Sequence, residues 1–150
     1  MLESRPRGFT TVELLTVVTV LGLLLAAGAP LVLGWRTSSL TAGAEELKAL
    51  LNAARHLAVV ENTSVCVAEA GGAVRFMVGG CAGRAWTGPG STSTGDIPLT
   101  SDVRIAAASP VVFTYLGAAV PAGSYTLVDP RGAVSVRVVV SGSGRIAVAP

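Results

Sequence analysis

Residues 5–15 read RPRGFTTVELL: two arginines and a glycine, then a largely apolar run in which the only charge is Glu13. From Leu14 to Trp35 no charged residue occurs. As a helix that stretch would extend about 33 Å at ~1.5 Å per residue, close to the hydrocarbon thickness of a bilayer, so it is long enough to span one. Arg5 and Arg7 precede it and only Arg36 follows closely, which predicts a cytoplasmic N-terminus and an exported remainder. Glu13 is the anomaly. A carboxylate carried deep into lipid costs about 2–3 kcal/mol, so an acid at the mouth of a span is a candidate functional residue.

An ordinary secretory signal would use the same apolar run. Ala27 and Ala29 in AAGAP form an A-x-A pattern, but Pro30 would then stand just after the cut and Glu13 interrupts the start of the h-region. The stretch RGFTTVELL instead resembles the processing site of type IV pilins and type II secretion pseudopilins. That resemblance implies cleavage after Gly8 by a prepilin peptidase, methylation of the new N-terminus at Phe9, and Glu13 as the family's fifth-position glutamate. It also places Gly22 and Pro30 where many members carry a helix-loosening glycine and proline. The physical reading agrees with it. Cleavage creates an ammonium at Phe9, and in a filament of such helices a neighbour's Glu13 can neutralise it. Such a pair fixes the stagger between subunits more than it adds net stability. The alternative is a glutamate that snorkels to the interface.

The chain has 150 residues, 51% of them hydrophobic, and a mean hydropathy of +0.64, enough for one domain plus a membrane segment. Its net charge of +2 sets up no strong field toward nucleic acid or anionic lipid. Cys66 and Cys81 lie beyond the span, and an isolated pair in an exported domain reads as one disulfide in an oxidising compartment. A two-residue turn at Gly71-Gly72 would put Cys66 opposite Met77, leaving Cys81 roughly 13 Å too far along a straight strand. The bridge therefore requires the chain to turn at Gly79-Gly80. Two buried free thiols are the alternative.

Between Arg36 and about Asn62, Leu40, Ala44, Leu47, Leu51, Ala54 and Ala58 recur at helical spacing and form one stripe. Thr37, Glu45, Glu46, Lys48, Asn52, Arg55 and His56 fall largely off it. Beyond Asn62 the pattern changes to short β segments: SVCVAEA, AVRFMVG, VRIAA, VVFTYL, SYTLVD, AVSVRVVV and RIAVA. Residues 79–102 read as a long loop rich in Gly, Ser and Thr. The expected fold class is α+β: a long N-terminal helix, membrane-spanning in its first half with Pro30 as the place for a bend, packed by its second half against an antiparallel β-sheet. The expected organisation is a cytoplasmic leader at 1–8, removed on processing, a transmembrane and filament-core helix at 9–35, an amphipathic helix at 36–62 and an exported β-domain at 63–150. The arrangement, with the terminal GSGRIAV, resembles the pseudopilin-H branch of minor pilins, in which a Gly-Arg pair opens the last strand.

A three-residue loop at Gly142-Ser143-Gly144 would set Ser141 opposite Arg145, Val140 opposite Ile146 and Val138 opposite Val148. It collects every branched residue of the two strands except Val139 on one face. A two-residue loop would bring Arg145 onto the valine face instead. The longer loop asks Gly144 to take a left-handed conformation, and it leaves Arg137 and Arg145 together on the outer face.

Catalysis finds little footing. His56 is the only histidine, no acid at useful spacing accompanies a nucleophile, and neither a zinc pattern nor a phosphate-binding glycine motif occurs. No enzyme, metal or cofactor is expected. Arg84, Trp86, Arg131, Arg137 and Arg145 are candidates for phosphate contact and base stacking with DNA, against the plainer reading of a solvated face. Minor pilins with DNA-binding activity carry a second arginine shortly after the Gly-Arg pair, where this chain has Ala147. The resemblance implies a minor pilin or pseudopilin, a structural subunit of a type IV filament used in pilus assembly, with DNA uptake in natural transformation as a further role. The alternative is a pseudopilin of a type II secretion system. Implied partners are other pilins through the N-terminal helix, prepilin peptidase, the inner membrane before assembly, and DNA. The implied location is a single pass through the inner membrane and then a filament in the periplasm or at the cell surface.

Overall fold

The computed structural model describes residues 10–149, with the side chains of residues 26–37 excepted. The chain divides into two compact units, Met1–Trp35 and Arg36–Pro150. Helix α1 (Thr11–Val60) contributes to both, and each unit is described in turn.

In the first unit, Thr10 caps the helix: its Oγ1 accepts the Glu13 amide at 3.3 Å, satisfying one of the donors that a helix start leaves free. Glu13 thus stands three residues after a threonine cap, in the first turn, where a carboxylate complements the helix dipole. From Val12 to Leu25 every large apolar side chain is exposed, between 51% at Val17 and 77% at Leu25. The polar interruptions are self-contained: Thr16 Oγ1 donates to the Glu13 carbonyl at 2.8 Å, and Thr19 Oγ1 lies within donating distance of Leu15 and Thr16. Among the described residues no helix is long and apolar enough to cross a membrane. The span read from Leu14 to Trp35 runs into residues 26–37, whose side chains lie outside the described residues.

In the second unit, Leu40, Ala44, Leu47, Leu51, Ala54 and Ala58 are all fully buried. The helix stops by a Schellman arrangement: Asn62 takes φ 48°, its amide bonds the Val59 carbonyl, and the Thr63 amide bonds the Ala58 carbonyl. The helix therefore ends at Val60, two residues before the expected limit, with the Glu61 amide making a last bond to the Leu57 carbonyl.

Among the described residues nine strands follow: β1 (Val65–Ala70), β2 (Ala73–Val78), β3 (Arg84–Ala85), β4 (Asp96–Pro98), β5 (Arg104–Ala108), β6 (Val111–Phe113), β7 (Gly123–Val128), β8 (Ser135–Val140) and β9 (Ile146–Ala149). They form two antiparallel sheets where a single one was expected. In the first, β3 and β4 share one edge of β2, followed by β1 and β6; the second runs β5-β7-β8-β9. The stretch 79–102 is consequently more than a loop, since β3 pairs with Met77 and Val78 and β4 with Ala73 to Arg75. Strand β6 ends at Phe113, where Thr114–Ala118 turns back through a Thr114 to Ala118 bond. The buried face of the helix joins Val65, Val67, Val74 and Phe76 of the first sheet and Tyr125, Leu127, Val138 and Val140 of the second in one core. Tyr125, fully buried, donates its hydroxyl to the Val67 carbonyl at 2.8 Å and so ties the sheets together. Burial pushes its phenol well above the ordinary value.

Candidate functional site

The residues singled out by the sequence fall into three groups. Gly8 and Phe9 lie outside the described residues. Glu13 is exposed in the first turn of α1, and Gly22 has nothing near the position a Cβ would take, so the helix shows an open face there. Pro30 lies within the bounds of α1, and its side chain is outside the described residues.

Cys66 and Cys81 are joined by a disulfide. The Gly71-Gly72 turn, with φ 63° and 89°, sets Cys66 opposite Met77. Gly79 and Gly80, with φ 92° and 95°, then reverse the chain, and both amides donate to the Ser64 carbonyl. The bridge anchors the start of 79–102, and an ion pair holds its middle: Arg75 Nε donates to Asp96 Oδ1 at 2.8 Å while Thr94 Oγ1 donates to Oδ2 at 2.6 Å. The Thr94 hydroxyl and then Arg75 hold the Asp96 carboxyl below its ordinary value. The end of the segment is clasped to the helix. Thr100 and Ser101 each donate an amide and a hydroxyl to the Glu46 carboxylate, at 2.6–3.3 Å. Burial pushes the Glu46 carboxyl up, but these four bonds outweigh it and the group titrates below the ordinary glutamate value. Neither Glu46 nor the Arg75–Asp96 pair is legible in the sequence, because partners 54 and 21 residues apart leave no local pattern.

The candidate DNA residues separate. Arg137 and Arg145 share the outward face of the second sheet, Arg137 opposite Thr126 and Ala149, Arg145 bonded across to Ser141. Four residues of offset along the hairpin set them about 13 Å apart at ~3.3 Å per residue. Arg131 sits in the turn between β7 and β8, at the opposite end of β8 from the Gly142–Gly144 loop. Arg84 belongs to β3 in the other sheet, and Trp86 is half-buried with its ring 5.8 Å from that of Phe76. Arg104, which the sequence did not single out, lies opposite Val128 on the same outward face as Arg137. The other outward positions of that face carry Ala, Ser, Thr and Val, with no acid among them.

Among the described residues no three His, Cys, Asp or Glu side chains gather where they could hold a metal ion. Among the described residues, His56 shares a shallow cleft with Asn52, Arg55, Val59, Leu116 and Gly117, no acid or nucleophilic hydroxyl among them.

The profile of the family "Type II transport protein GspH" matches residues 43–144, more than half of the chain. Crystal structures of the type IV minor pilin FimU of Pseudomonas aeruginosa share the fold. One superposes with a TM-score of 0.52 at 20% identity, covering 76% of this chain and 90% of that one. A second crystal form gives 0.50 at 22%, covering 74% and 93%. No curated protein sequence matches. The helix stripe packed on antiparallel sheets and the span of the match agree: the chain belongs to the GspH family of the pilin and pseudopilin superfamily, and is a structural subunit rather than an enzyme.

Proposed function

We propose that the chain is a minor pilin of a type IV filament, held in the inner membrane by residues 14–35 until assembly. Prepilin peptidase removes residues 1–8, Phe9 becomes the methylated N-terminus, and Glu13 pairs with that terminus on a neighbouring subunit. The observation that carries this reading is the first part of α1. Its valines and leucines are exposed throughout Val12–Leu25 while its threonine hydroxyls are satisfied within the helix. A helix apolar all round belongs in lipid or among other helices. Type II secretion is the alternative setting, supported by the family's printed description; both use the same helix physics.

Glu13→Ala tests the pairing. The variant keeps the backbone amide that Thr10 caps, so the exported domain folds and accumulates in the membrane. Incorporation into sheared filaments falls severalfold. Wild-type incorporation at equal membrane levels would contradict the pairing.

One observation favours a second role, DNA binding: the acid-free outward face with Arg104, Arg137 and Arg145. Three arginines support weak, sequence-independent affinity, about 10⁻⁴ to 10⁻⁶ M, falling steeply with salt. Anisotropy titration of labelled duplex DNA at low salt should show this binding, weakened in the Arg137→Ala, Arg145→Ala double variant. An unchanged isotherm in the double variant would leave the face a solvated one.

A further inference from the structure

Arg55 lies on α1 where the helix passes the tips of two loops, Thr114–Ala118 and Ser141–Arg145. Its guanidinium rests against two glycines. A Cβ at Gly117 would come 3.0 Å from Arg55 Nε, and one at Gly144 3.2 Å from the same atom. Both glycines have φ 78°, so the loops are shaped to leave this room. The side chain is half-buried, yet among the described residues it makes no hydrogen bond and no ion pair. Its donors are therefore open to solvent and to any group that enters beside them.

The surroundings say what would use those donors. Arg55 lines a groove of about 320 Å³ with Asn52, His56, Val59, Leu116 and Gly117. That is at the low end of the roughly 300–1,000 Å³ of small-molecule pockets, room for a side chain or two. No acid lines it, and its apolar walls are bare: Val59 is 49% and Leu116 76% exposed. The charge calls for an anion, and the apolar walls call for hydrocarbon beside it. A polyanion would be met by a row of cations, as on the outward face of the second sheet, and gains nothing from Leu116. A protein carboxylate next to an apolar side chain matches both features, and arginine is among the residues that dominate protein interfaces.

We propose that this groove receives a neighbouring filament subunit, which places an Asp or Glu carboxylate on Arg55 and an adjacent apolar side chain between Val59 and Leu116. The inference rests on the reading of the chain as a filament subunit.

The test uses the full chain in cells, with the photoreactive residue benzoylphenylalanine replacing Val59 in one strain and Val17 in another. Position 17 reports assembly through the first part of α1. Position 59 reports the groove. The expected result is a light-dependent adduct from position 59 to a pilin or pseudopilin subunit, at a peptide containing Asp or Glu. Arg55→Gln should reduce that adduct about tenfold, and so should Leu116→Ser, a change at an exposed side chain that leaves the core untouched. The adduct from position 17 should persist in both variants, and Arg55→Glu should be rescued by Lys at the partner's acid. An adduct from 17 with none from 59 overturns the groove inference alone, as does a 59 adduct indifferent to both variants or formed with DNA. Adducts from neither position overturn the filament reading together with it.

Discussion

Glu46 shows how a charged residue becomes structural. Its carboxylate accepts four bonds from Thr100 and Ser101, and close by a Cβ at Gly43 would meet Val103 and the Ser101 hydroxyl at 2.7–3.0 Å. Helix and loop therefore approach closely enough for Glu46 to fasten them. Its carboxyl titrates below the ordinary value in the folded chain: burial raises it, and the four donors outweigh the burial. A depressed folded value means that the stabilisation is present above the unfolded glutamate value, ~4.3, and is lost as the pH falls through the folded value. Glu46→Gln, which keeps the shape and loses the charge, should destabilise the chain by about 1–2 kcal/mol at pH 7. Urea unfolding at pH 7 and in acid provides the measurement, with the gap between wild type and variant narrowing in acid. A gap that stays constant would mean that the carboxylate charge is idle.

At the scale of elements, the last hairpin couples a turn closely to its surroundings. Gly144 takes φ 78° and is buried, and a methyl group there would overlap the Gly117 carbonyl oxygen. Gly142, two residues earlier, has only the Ala119 carbonyl at 3.9 Å from its Cβ position. Gly144→Ala should therefore lower stability by about 1–3 kcal/mol through strain and overlap, whereas Gly142→Ala should stay within about 0.5 kcal/mol of wild type. Thermal or urea unfolding of the two variants checks the contrast, and equal effects would contradict the loop geometry.

The same hairpin marks what the sequence could disclose. The register Val140 to Ile146 and Val138 to Val148 follows from period-two alternation closed by a turn whose length the branched residues determine. The helix stripe follows from spacing in the same way, since both are local periodicities imposed by burial. Strands of two and three residues, β3 and β4, are too short for a period. Arg75–Asp96, Trp86 on Phe76 and the disulfide hold them against β2. The split into two sheets escapes for a related reason. Which strand lies beside which is settled by contacts such as Tyr125 to Val67, far apart in sequence. Arg55 is half-buried beside the stripe, and the glycines that frame it come from two distant loops that leave no trace in its own neighbourhood.

For the whole molecule, one helix changes its kind of surface along its length. Between Val12 and Leu25 it shows apolar side chains exposed throughout, and from Leu40 to Ala58 it buries a single stripe in its own domain. The first pattern is stable only when something outside the domain covers it, first lipid and then other subunits in the proposed account. In the proposed account assembly begins with removal of residues 1–8, because the ammonium proposed to pair with Glu13 exists only after cleavage. Intact-mass analysis of the protein recovered from membranes or sheared filaments therefore tests the central claim most directly. The account predicts a chain beginning at Phe9, heavier by one methyl group and lighter by the two hydrogens of the Cys66–Cys81 bridge; a chain beginning at Met1 or at Pro30 would contradict it.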